Sequence, residues 1–268
     1  MFQKLLQPAA LLAAALLFAG NALAGACPVH YVGGRLPEIQ NPKLAVATRE
    51  LCYGVFGVMH SGLTRTALWS AEYLRANNVE AASDQSRVDS FHAEPRLPRG
   101  QRAELSDYAR SGFDRGHLAP NGNMPDRRSQ RESFSLANMV PQDAENNRHV
   151  WAGIEAVVRK MAAKEGALYV VTGPAFLGRS LRKVGNVLVP SHLYKVVWNP
   201  RRQAGAAWFI ENAAATQYTT MSIAQLEQTI GINLMPSLTA RDKQTMLQLP
   251  NVRQRKARRE RRGEAEMS

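Results

Sequence analysis

Cysteine is almost missing from this chain: Cys27 and Cys52 are the only two in 268 residues. That excludes a disulfide scaffold and a four-thiolate zinc site, and leaves one bridge, a free pair of thiols, or membership of a mixed site. Metal chemistry must then rest on His, Asn or carboxylates. Acidic residues are also short, with 22 Asp+Glu against 34 Lys+Arg and a formal charge of +12. An anionic partner, either nucleic acid or an anionic membrane, is the first expectation. Repeats of solenoid length and Ser/Gly linkers are absent, which excludes a repeat array and two domains on a flexible tether. With 45% hydrophobic residues, the chain has ample material for one packed core.

The apolar run near the start, Ala9 to Ala19, falls short of the roughly 20 residues that a spanning helix needs. Lys4 precedes it and the small residues Gly20 to Ala24 close it, the pattern of a secretory signal peptide over residues 1–24. Cleavage falls after Ala24 or Ala26, and the mature chain is expected in the periplasm or secreted, with no membrane partner. Lipidation at Cys27 is the weaker reading, because Ala24 stands where Leu is usual. In an oxidising compartment Cys27 and Cys52 can pair, closing a loop of about 25 residues worth roughly 3 kcal/mol.

Tyr53 to His60, a turn at Ser61-Gly62, and Arg65 to Trp69 predict a β-hairpin. Residues 83–112 are weakly periodic and rich in Pro, Arg and Asp, so they predict a long surface loop. Val150, Ile154, Val157, Val158 and Met161 form the apolar stripe of a helix over 147–164, which Gly166 stops. Strands are predicted at 168–172, 192–198 and 206–210, and Ser222 caps a short helix. Strands flanking a helix give an α+β or mixed α/β fold. From Arg253 seven basic residues face three glutamates with almost no apolar residue, the composition of a disordered basic tail over 253–268. Without the tail and Lys4 the body is still strongly positive.

Two segments carry chemistry. The first holds Asp114-Arg115-Gly116-His117, where a neutral imidazole can take a proton from water near pH 7 and a guanidinium can hold a phosphate oxygen. In an extended segment Arg115 and His117 share one face, and Gly116 between them is expected to let a substrate approach. A lone His is more often structural, so the context matters. The second runs from Asn138-Met-Val-Pro-Gln142 into Asn147, Trp151, Glu155 and Arg159, which recur every four residues along a polar helix stripe away from the apolar one. Glu155 leans back toward Asn147, and the two can share a hydrated cation; an oxygen donor with a carboxylate behind it suits Mg²⁺. A solvated helix face would carry the same residues.

Together these motifs resemble the DNA/RNA non-specific endonuclease family, which includes endonuclease G, over roughly residues 50 to 200. The ordered set is far more specific than any single motif. The resemblance implies a ββα-metal (His-Me finger) nuclease fold of the α+β class, a mostly antiparallel sheet flanked by helices, as one domain over 25–252. It implies that His117 is the general base, Asn147 the direct ligand of one Mg²⁺, and Glu155 the carboxylate that holds the metal's waters. Mn²⁺ is the expected substitute ion. Asn138 would support the site, Arg115 would bind phosphate, and Arg87 would stabilise the pentacovalent phosphorus, with Arg159 a weaker candidate of the same kind. DNA and RNA are the implied substrates, cut to 5′-phosphates, and a homodimer stays open. Arg148-His149 departs from the family, where Gln-Gly is usual. The rival reading is an exported basic protein that binds nucleic acid without cutting it.

His60, a core or turn histidine by this reading, and His30, His92, His149 and His192 are assigned no role. The four tryptophans are assigned to core packing.

Overall fold

The computed structural model describes residues 26–178, 180–214 and 217–252. The signal peptide and the basic tail fall outside the described residues.

Nine strands organise the molecule: β1 Thr48–Cys52, β2 Gly57–Ser61, β3 Thr66–Arg75, β4 Phe113–His117, β5 Met139–Asp143, β6 Ala167–Ala175, β7 His192–Asn199, β8 Ala204–Glu211 and β9 Thr219–Met221. Seven of them form one antiparallel sheet in the order β9-β8-β7-β6-β3-β2-β1, while β4 and β5 pair as a separate hairpin-like unit. The predicted hairpin is present as β2 and β3, with a register shift between Met59 and His60. Its second strand runs on to Arg75, and nearly every residue from Thr66 to Leu74 is buried, as in a strand covered on both faces. The strand β1 preceding it carries no strong apolar pattern in the sequence; it is held by pairing with β2, by the buried Leu51 and by the Cys52 disulfide.

The sheet is covered on both faces. Leu168, Val170, Leu193 and Val197 point to one core with Val150, Ile154, Val158 and Ala162, and the intervening Val171, Tyr194 and Val196 point to another with Ile223, Leu226 and Ile230. This period-two alternation places helix Ala152–Glu165 on one face and helix Ile223–Ile230 on the other. The first helix ends at Gly166, whose φ of 89° stops it as the sequence predicts. The second begins with a capping box between Ser222 and Gln225. The fold is α+β, a mostly antiparallel sheet with flanking helices.

Residues 83–112 are mainly loop, with a 3-10 turn at Arg99–Gln101 and a short α-helical turn at Leu105–Tyr108. Cys27 and Cys52 form a disulfide with their Cα atoms 5.6 Å apart, tying the start of the described chain to β1. Among the described residues no helix is long and apolar enough to cross a membrane.

Candidate active site

His117 ends β4, and Met139 at the start of β5 is its partner. The ring is 9% exposed. Phe134 meets it edge-on with centroids 5.0 Å apart, and Phe91 lies 5.8 Å away. Its Nε2 is buried without a hydrogen-bond partner among the described residues. Burial pushes its pKa down to about 3, with the Arg87 guanidinium acting the same way and Asp89 opposing. The imidazole is therefore neutral at pH 7 and can accept a proton.

Two arginines frame this ring. Arg115, on the same side of β4, lies 4.0 Å over Phe91, and Arg87 lies 5.2 Å over Phe134. The sequence expectation that Arg115 and His117 share a face fits this common contact with Phe91. The expected reason for Gly116 does not hold. A Cβ there would stand 2.0 Å from Gln142 Oε1 and 2.6 Å from Gln142 Cβ, so the glycine makes room for a side chain of the paired strand rather than for a substrate.

The helix that follows β5 does not begin as an ordinary α-helix. Asn146–Trp151 is a π turn, continued by the α-helical Ala152–Glu165. Its start is anchored by Asn146, which donates to Glu211 O at 2.9 Å and accepts from Gln142 Nε2 at 2.9 Å. The wider turn corrects the four-residue stripe. Trp151 leaves the polar face and is 1% exposed within the core, because a π turn advances the chain by more residues per turn than the spacing assumed.

Asn147 sits in that turn and donates from Nδ2 to Asp114 Oδ2 at 3.0 Å, and its amide oxygen accepts from no donor among the described residues. Arg148 also grips Asp114, at 2.9 and 2.7 Å. The departure from the usual Gln-Gly thus adds an ion pair to the hairpin and leaves the Asn147 oxygen free.

Glu155, Arg87, Asn121, Arg159, Lys160 and Lys164 line a groove of about 840 Å³ beside the helix. Burial pushes the Glu155 carboxyl up, while Lys195, Arg159 and Arg87 pull it back. Arg87 thus acts on both Glu155 and His117, and joins the groove to the imidazole. Arg159 reaches Asn123 Oδ1 at 3.4 Å, and Asn123 donates to the buried Glu72 at 3.0 Å. Asn138 lies behind the site and is fully buried. It accepts from Ser70 at 2.7 Å and from Ala119 N at 3.0 Å, and it donates to Ala119 O at 2.8 Å and Ser133 O at 2.9 Å. Every polar atom of its amide is used, so it holds the loop after His117 and touches no substrate.

A divalent cation fits this set. Asn147 offers an unspent carbonyl-type oxygen and Glu155 a carboxylate in the adjoining groove, both hard donors. Among the described residues no group of three or more His, Cys, Asp and Glu could hold a metal. An ion here would therefore keep most of its waters, as Mg²⁺ prefers.

Sequence reasoning missed Glu72, Asn123 and Lys195, which lie beneath the groove, and gave Asp114 and Phe91 no role. Asp114 was legible within its motif, whereas Lys195 lies in an apolar strand with no local mark.

A two-stranded unit ending in a histidine, followed by a helix bearing Asn and Glu, defines a ββα-metal nuclease. Residues 38–241 match the model of the DNA/RNA non-specific endonuclease family, and the chain belongs to that family. It is 34% identical to Nuclease C1 of Cunninghamella echinulata var. echinulata, over 65% of this chain and 77% of the relative. It is 29% identical to the mitochondrial endonuclease G of Bos taurus, over 82% and 78%. The fold is similar to that in the crystal structure of the EndoG/EndoGI complex, with a TM-score of 0.65 at 24% identity, covering 75% of this chain and 90% of the other. The protein is accordingly a nuclease of a metal-dependent family, with nucleic acid as its substrate class.

Proposed function

We propose that this protein is an exported, Mg²⁺-dependent endonuclease that hydrolyses DNA and RNA without regard to sugar or sequence. The observation that carries the reading is a neutral, buried imidazole at His117, flanked by Arg115 and Arg87, on the same hairpin that Asp114 ties to Asn147. His117 takes a proton from water. The water oxygen then bonds to phosphorus and the P–O3′ bond breaks, giving a 5′-phosphate and a 3′-oxyanion that takes a proton from solvent to become the 3′-hydroxyl. Arg87 and Arg115 balance charge on the phosphoryl oxygens. Phosphate binding against Arg87 also offsets that residue's effect on His117 and raises the basicity of the ring. Asn147 and Glu155 would hold the Mg²⁺, directly and through water, and the ion would supply charge neutralisation at the phosphate and the leaving oxygen.

The basic groove lined by Arg87, Arg159, Lys160 and Lys164 supports recognition through the backbone, which carries no sequence information. Export is supported by the signal-like residues 1–24 and by the Cys27–Cys52 bridge. The test is incubation of supercoiled plasmid and of RNA with the purified protein, with Mg²⁺ or with chelator, followed by analysis of the new ends. Nicking of both polymers, loss with chelator, and 5′-phosphate ends are expected. Tight binding without cleavage in Mg²⁺ or Mn²⁺ would favour the binding-module reading instead.

A further inference from the structure

Three adjacent strands carry a polar row across an otherwise apolar sheet face. Lys195 on β7 stands opposite Thr172 on β6, and Thr172 stands opposite Ser70 on β3. All three are buried. Their neighbours two positions away, Leu193, Val197 and Val170, belong to the core beneath the site helix. Lys195 Nζ donates to Thr172 Oγ1 at 2.5 Å and to Leu118 O at 3.3 Å, and it lies 5.2 Å from the ring of Trp151. Ser70 completes the row through Asn138, which fixes Ala119. The two residues after His117 are therefore clamped from the sheet by a lysine and an asparagine.

An ammonium at 1% exposure needs counter-charge. Glu72 lies two residues beyond Ser70 on β3 and so on the same sheet face, and Glu155 lies one turn beyond Trp151, whose ring is 5.2 Å from Lys195 Nζ. Burial pushes the Lys195 pKa down, and the charges of Glu155 and Glu72 oppose that shift. Glu72 is buried, whereas Glu155 faces the groove.

We propose that Lys195 is a positioning residue of the nuclease: it answers the buried Glu72 on the same sheet face, while its hydrogen bond fixes the Leu118 carbonyl beside His117. The inference rests on the role of His117 proposed above. Lys195 itself contacts no substrate, because Trp151 and the sheet enclose it.

The test uses Lys195→Met, which keeps the length of the side chain and removes its charge. The variant is expected to lose about tenfold or more in kcat with KM changed by less than about threefold, since the groove arginines are untouched. Adding Glu72→Gln removes the surplus negative charge, and the double variant should be at least about threefold more active than Lys195→Met alone. A lysine that merely fills space gives no such charge-dependent recovery. A smaller loss in the single variant, or no recovery in the double, overturns the proposal. If Lys195→Met does not fold by circular dichroism, the double variant is compared with Glu72→Gln. A folded double variant with kcat within about threefold of Glu72→Gln supports the proposal, and an unfolded or less active one overturns it. Failure of the reading it rests on is separate: it shows as no cleavage by the wild type, or as wild-type cleavage by His117→Ala, whatever the Lys195 variants do.

Discussion

The side-chain amide of Asn147 donates to Asp114 at 3.0 Å, so the proposed metal ligand is oriented by the strand that carries His117. Burial alone would raise the Asp114 carboxyl, but hydrogen bonds from Arg148 and Asn147 hold it below the ordinary carboxylate value. It remains an anion and an acceptor at neutral pH, and Asn147 must turn its oxygen outward.

Replacing Asp114 by Asn should therefore raise the Mg²⁺ concentration for half-maximal cleavage by roughly 10- to 100-fold, the usual cost of losing a residue that orients a ligand. Arg148→Gln keeps the Asn147 contact and removes only an exposed pair, so its midpoint should move by less than about threefold. Mg²⁺ titration of activity checks both. An unchanged midpoint in Asp114→Asn would show that Asn147 needs no such restraint.

Gly116→Ala separates two explanations of one residue. The crowding against Gln142 predicts a loss of about 1–3 kcal/mol in urea denaturation, part of it recovered by Gln142→Ala. Normal stability with a raised KM would instead restore substrate approach as the reason for the glycine.

The hairpin, the site helix and its Gly166 stop were legible because each is written in local periodicity or a local breaker. The motif residues His117, Arg115, Asn147 and Glu155 were legible because their order along the chain is distinctive. The π turn at Asn146–Trp151 was not, since its anchors are long-range: Asn146 reaches Glu211, 65 residues away. Lys195 was hidden for the same reason, with its partner Leu118 lying 77 residues away. A strand such as His192 to Trp198 reads as core, and nothing within it tells that one lysine reaches the carbonyl next to His117.

His60 supplies a pH prediction. It is buried, one ring nitrogen donates to Gln101 O at 2.8 Å, and burial lowers its pKa to about 4. The unfolded ring protonates near pH 6.5, about the ordinary value. Its contribution to stability is therefore full above pH 6.5 and drains as the pH falls toward 4. His30 and His117 act in the same direction, whereas Glu72, pushed up to about 7, acts in the opposite one. His60→Gln should flatten the slope of unfolding free energy between pH 6.5 and 4.5 by about 1.4 kcal/mol per unit. Denaturation series at several pH values measure it, and an unchanged slope would contradict the burial argument.

The Cys27–Cys52 bridge joins elements away from the groove. Its loss in Cys27→Ser/Cys52→Ser should cost about 3 kcal/mol and lower Tm by roughly 6–12 °C, with kcat at 25 °C unchanged within about twofold. Calorimetry beside an activity assay checks this, and an equal loss of kcat would place the bridge in the working site.

The most direct test of the account is single-turnover cleavage of plasmid by His117→Ala in saturating Mg²⁺, with DNA affinity measured on the same sample. A rate lower by roughly 10²- to 10⁴-fold at unchanged affinity is the predicted result. Cleavage at the wild-type rate would contradict the assignment of His117 as the proton acceptor.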